Sequence, residues 1–153
     1  MNKLLFPMLL MLAATGVAAQ DKIKIANQVP FAPEASVTDA VKKECGLPEQ
    51  VSSFISNYAS DVDVVDGEPK GGRVLSARIT QVLGVGGPFT PKSLVVEGEL
   101  KDAGKVVGTF RARRNTSGGP TCAALAKCAK SLGKDIAGWL ESPSMDAKLG
   151  DAR

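Results

Sequence analysis

Three cysteines and no histidine set the terms on which this chain of 153 residues could do chemistry. Without imidazole there is no Ser-His-Asp or Cys-His catalysis and none of the usual zinc sites, which leaves carboxylates, lysine and backbone groups. Cys45, Cys122 and Cys128 form no Cys-x-x-Cys, so a redox-active or metal-binding thiol site is not indicated. If the region from Thr121 onward is helical, Cys122 and Cys128 stand about 240° apart around its axis and cannot bond to each other. Cys45 is then the partner of one of them, and the apolar stripe facing it is flanked by both. Cys122 is favoured, because a cysteine in the first helical turn beside Gly118-Gly119-Pro120 adjusts its backbone to bonding geometry more easily. Such a bond would contribute roughly 4.5 kcal/mol on the chain-entropy account.

Other motifs are incomplete. Ser131-Leu132-Gly133-Lys134 matches the Ser-x-x-Lys of serine penicillin-recognising enzymes, but the companion Ser-Asp-Asn and Lys-Thr-Gly are missing and the chain is too short for that fold. Asp61, Asp63, Asp66 and Glu68 resemble a calcium loop loosely. An EF-hand needs a ligand where Val65 stands and a glycine where Asp66 stands. The glycines from Gly84 to Gly87 complete no Gly-x-Gly-x-x-Gly, and Pro88 and Pro91 follow instead of a helix start, so a connecting loop is expected there. Asn115-Thr116-Ser117 is a formal glycosylation acceptor, with meaning only in a eukaryotic secretory path. No metal or cofactor is expected.

These residues must be positioned by the stretch from Leu94 to Trp139. Leu94, Val96, Gly98 and Leu100 alternate with Val95, Glu97, Glu99 and Lys101, and after Asp102-Ala103-Gly104 the alternation resumes with Val106, Gly108, Phe110 and Ala112. The pattern predicts a hairpin with Leu100 opposite Val106, a three-residue loop with Gly104 left-handed, and Glu97 opposite Thr109. From Thr121, the stripe Cys122, Leu125, Ala129, Leu132, Ile136 and Leu140 has helical spacing. Upstream, Lys22 to Ile25 alternates as a short strand before a bend at Pro30 and Pro33. Ser36 or Thr38 caps a helix whose apolar face is Val37, Ala40, Val41 and Cys45, and Gly46 and Pro48 break it from a second segment carrying Val51, Phe54, Ile55 and Tyr58. Asp61 to Val65 is a short strand. The longest strand sets Leu75, Ala77, Ile79 and Leu83 against Ser76, Arg78, Thr80 and Val82.

The sum is an α+β fold, β-α-β-β-β-β-α, with a four- to five-stranded antiparallel or mixed sheet and two helices packed on one face. The opposite face carries Arg78, Glu97, Glu99, Arg111 and Arg113 and is the candidate partner surface, although an antiparallel sheet can also leave such a face simply in water. Residues 1–19 read as a signal peptide: Lys3 precedes an apolar run from Leu4 to Ala14, and Val17-Ala18-Ala19 offers a cleavage site. Residues 20–141 read as a single domain and 142–153, lacking periodicity, as a flexible tail. No cysteine follows the apolar run at a lipoprotein position, so the mature chain is expected to be periplasmic or secreted, with no stable membrane insertion. The formal charge of +3 falls to +2 when Lys3 leaves, too little to imply nucleic acid.

With Leu94-Val95-Val96-Glu97-Gly98, Lys101-Asp102-Ala103-Gly104-Lys105 and the closing Leu132-Gly133-Lys134-Asp135-Ile136-Ala137-Gly138-Trp139-Leu140, the chain resembles small uncharacterised exported bacterial envelope proteins. Their α/β domain is similar to that of outer-membrane-associated accessory lipoproteins. The resemblance implies a non-catalytic envelope protein, either a binding module or an accessory factor with an envelope protein partner. The alternative is a small secreted hydrolase, or a hydrolase inhibitor, using carboxylates such as Glu97 and Glu99.

Overall fold

A computed structural model describes residues 21–153, and the expected signal peptide over 1–19 lies outside the described residues. The elements in order are β1 (Ile23–Ala26), β2 (Phe31–Ser36), α1 (Asp39–Glu44), α2 (Leu47–Tyr58), β3 (Val62–Val65), β4 (Arg73–Leu83), β5 (Lys92–Asp102), β6 (Lys105–Thr116), α3 (Thr121–Glu141) and β7 (Ala147–Gly150). The class is α+β. The sheet has seven strands rather than four or five, in the order β3-β1-β4-β5-β6-β7, with β2 also on β4. It is mixed: β4-β5 and β5-β6 are antiparallel, while β1 with β3, β1 and β2 with β4, and β6 with β7 are parallel.

The β5-β6 hairpin differs from expectation in its turn. Ala103 and Gly104 both have positive φ (48° and 81°), the two-residue geometry that matches strand twist, so Asp102 pairs with Lys105. A register shift after Leu100 then absorbs one residue of β6. Leu100 pairs with Gly108 rather than Val106, and Glu97 faces Arg111 directly rather than Thr109. A second irregularity passes over Thr80 in β4. It reverses the alternation, so Val82 enters the core (8% exposed) while Leu83 turns outward (42%).

Thr38 caps α1, its Oγ1 accepting from Val41 N, and Gly46 at φ 58° lets the chain turn into α2, where Pro48 suits the first turn. The two expected segments are thus separate helices, and with α3 there are three among the described residues. α2 packs on α3 where Gly133 meets Phe54: a Cβ there would lie 2.7 Å from the Phe54 carbonyl carbon, so a side chain would hold the helices apart. Both helices join one apolar cluster with the inner sheet residues Ile25, Leu75, Ile79, Leu94, Val96, Leu100, Phe110 and Ala112.

Two segments read otherwise become strands. Phe31 to Ser36, expected as a bend between prolines, lies beside β4, and an outer strand tolerates Pro33. Residues 142–153, expected as a flexible tail, turn back at Ser144 and Asp146 and lay β7 along β6, with Phe110 opposite Ala147 and Arg113 opposite Gly150. Side chains and backbone pin this end: Trp139 Nε1 donates to Ser144 O (3.3 Å), Asp146 N to Thr109 Oγ1 (2.8 Å) and Asp151 N to Arg113 O (2.7 Å).

Candidate functional site

The face of the sheet away from the helices carries one continuous cross-strand row: Arg78 on β4, Glu97 on β5, Arg111 on β6 and Lys148 on β7, each the register partner of the next. Glu97 is therefore bracketed by two guanidinium groups. Arg111 Nη1 donates to Glu97 Oε1. The neighbouring row holds Ser76, Glu99 and Thr109, with Asp146 hydrogen-bonded to Thr109 at its end. Glu99 pairs along its own strand with Lys101 at 3.0 Å. Together these rows floor a shallow basin of about 530 Å³ that runs from β4 to β7. A second hollow of about 440 Å³, between the β1-β2 turn and the β3-β4 loop, shares Pro30, Ser76 and Ala77 with it.

Of the candidate surface residues, Arg78, Glu97, Glu99 and Arg111 line the basin. Arg113 stands one row further on, opposite Val95, and its Nε donates to Asn115 Oδ1 (3.0 Å), away from the lining. Val95 is fully buried although alternation puts it on this polar side. Asp146 and Lys148 complete the basin and were not foreseen, because they lie in the segment read as a tail. Lys92 was also missed: it is fully buried, and its Nζ donates to Gly87 O (3.1 Å) and Thr90 O (2.9 Å), fastening the loop before β5. Lysine so rarely enters a core that no sequence rule would place it there.

The cysteines lie on the other face. Cys45, which ends α1, and Cys122, in the first turn of α3, form a disulfide with Cα atoms 4.9 Å apart. Cys128 is a free thiol, 2% exposed, and burial pushes its pKa up from the ordinary 9.0. On the same side Arg114 grips Asp135 of α3 with two hydrogen bonds, Nε to Oδ2 (2.6 Å) and Nη2 to Oδ1 (2.7 Å), and reaches Asp151 at 3.8 Å. The Asp135 hydrogen bond raises the arginine's pKa against a smaller desolvation effect.

Chemically, the basin offers ion pairing and hydrogen bonding. Its two glutamates are each committed to a cation, Glu97 to Arg111 and Glu99 to Lys101. Among the described residues no group of three His, Cys, Asp or Glu could hold a metal ion, and no helix is long and apolar enough to cross a membrane. Asp61, Asp63, Asp66 and Glu68 run along and beyond β3, where Asp63 pairs with Lys22 at 3.0 Å and Asp66 accepts from Asn27 at 3.1 Å.

No protein-family model and no curated protein matches the sequence. Solved structures do match. A hypothetical protein of Chlamydia trachomatis aligns at 9% identity over 78% of this chain and 98% of its own, with a TM-score of 0.55. The PelC dodecamer of Paraburkholderia phytofirmans aligns at 18% over 74% and 82%, TM-score 0.47. A minor lipoprotein of Acinetobacter baumannii aligns at 14% over 81% and 92%, TM-score 0.40. At such identities the first likeness speaks for a shared fold and assigns no residue a role.

Proposed function

We propose that this protein is a non-catalytic binding module of the cell envelope, periplasmic or secreted, that receives a partner protein on the open face of its sheet. The observation that carries this is the basin from β4 to β7: concave, charged, and left uncovered by all three helices. The pairing of both glutamates with cations, in a chain lacking histidine, favours recognition over a hydrolase that would need a carboxylate free to act as base. The leading apolar segment and the disulfide support an oxidising compartment as the address.

The test is capture from envelope extract with the mature protein and with the double variant Arg78→Glu, Lys148→Glu. Both side chains are exposed, so even with a glutamate in place of Arg78 set opposite Glu97 the variant should keep its unfolding midpoint within a few degrees. It should retain less than about a tenth of the captured partner, through like-charge repulsion at both ends of the row. Undiminished capture by the double variant would overturn the proposal.

A further inference from the structure

We infer that the basin takes an extended acidic peptide segment, laid across the strands, with two carboxylates four residues apart. The inference rests on the reading of the basin as a binding surface and names what that surface recognises.

Within the central row, charge is unevenly satisfied. Arg111 is committed to Glu97, and Lys101 nearby to Glu99. Arg78 and Lys148, at the two ends, form no ion pair among the described residues. The row thus presents a neutralised middle flanked by two free cations. Their positions are separated by three strand spacings, about 14 Å at roughly 4.8 Å each. An extended chain advances about 3.3 Å per residue, so side chains four residues apart are about 13 Å apart, and the even interval keeps both on one face. Glu99 within the neighbouring row and Asp146 at its end repel a carboxylate that slips onto it, which fixes the path of the ligand.

The adjoining hollow decides between polymers that carry carboxylates. It opens beside Arg78 through Pro30, Ser76 and Ala77, and Ala26 and Pro69 are among its walls, so an apolar side chain next to the first carboxylate has a place to go. An acidic polysaccharide has no such side chain. Nor does the basin offer a sugar an aromatic platform: Phe110, the aromatic residue among its lining, packs its ring on Trp139 at 4.9 Å. The chemistry favours a polypeptide.

Fluorescence anisotropy with synthetic peptides on the mature protein tests this. The probe is a labelled Leu-Ser-Asp-Gly-Ser-Gly-Asp, compared with a peptide of the same composition whose acids are three apart, and with polygalacturonate as competitor. The four-apart peptide should bind more tightly than the three-apart one, and raising salt should weaken it steeply. Arg78→Ser and Lys148→Ser should each weaken it about threefold to fivefold, the effect of one exposed ion pair. Equal binding of both spacings, indifference to Arg78 and Lys148, or tighter binding of polygalacturonate would overturn the inference. If the charge-reversed double variant loses its envelope partner while no peptide binds, this inference falls and the proposed function stands. If capture survives charge reversal, it is the proposed function that falls.

Discussion

Arg111 and Arg114 belong to the same strand, and the fates of their charges differ. Arg114 turns toward the helices and grips Asp135 with two hydrogen bonds, the carboxylate being only 18% exposed, with Asp151 from the chain end alongside. It joins β6, α3 and the segment after β7, which meet only in the folded state. Arg111 turns to the open face and meets Glu97 on the adjacent strand, where the hairpin already holds them close and water reaches both. Charge facing inward locks elements together, whereas charge facing outward is available to something else. The same division holds between the two faces of the sheet: one is fastened by the disulfide, close helix contact and an apolar cluster, the other by little beyond pairs of side chains.

The sharpest break of the fastened side is removal of its covalent link. Cys45→Ala should cost roughly 4.5 kcal/mol under oxidising conditions, seen as a large fall in the urea midpoint. The gap between variant and wild type should nearly close in reductant; a gap that persists would mean that Cys45 contributes by packing instead. Next comes Gly133→Ala. Alanine is the better helix former by about 1 kcal/mol, yet its Cβ would press on the Phe54 backbone, so a net loss of about 1–3 kcal/mol is expected. A stabilised variant in thermal melts would show that α2 and α3 can separate freely. Asp135→Asn should follow at about 1–2 kcal/mol, since it removes the charge and replaces one of the two accepting oxygens by an amide NH2, which cannot accept from Arg114.

On the open side Arg111→Ser should change stability by less than about 1 kcal/mol. A loss as large as that of Asp135→Asn would erase the contrast between the two arginines. The smallest effect vanishes at neutral pH. Burial raises the pKa of Cys128, so below about pH 9 both folded and unfolded chains hold the neutral thiol. Above that the unfolded chain releases its proton first, and stability declines as pH rises through the folded value. Cys128→Ala should remove that component from urea midpoints compared between about pH 8 and about pH 10. Parallel curves for the two proteins would contradict the burial effect.

Periodicity made most of the elements legible, because a half-buried strand and an amphipathic helix write their inward face into every second or every third and fourth residue. It failed where the backbone departs from regularity. Nothing in the residue types around Thr80 announces that Val82 instead of Leu83 turns inward, and nothing at Leu100 announces the shift that brings Glu97 opposite Arg111. Bulges change which residue counts as the next one. The charges of the basin were visible as a group, and their order in a row was not. Arg78, Glu97, Glu99 and Arg111 were found by alternation, but Asp146 and Lys148 arrive through β7, a strand of four residues whose partner lies far back in the sequence. A segment that short has no pattern of its own, and its structure is borrowed from β6.

For a chain exported as proposed, the placing of the disulfide has a consequence for maturation. A polypeptide threaded through a membrane pore with its N-terminus leading presents Cys45 first, Cys122 next and Cys128 last. The native bond joins the first two thiols to appear. An oxidase that links cysteines in order of emergence would therefore make the correct pair without a later isomerisation, and in the folded chain the remaining thiol is enclosed in α3.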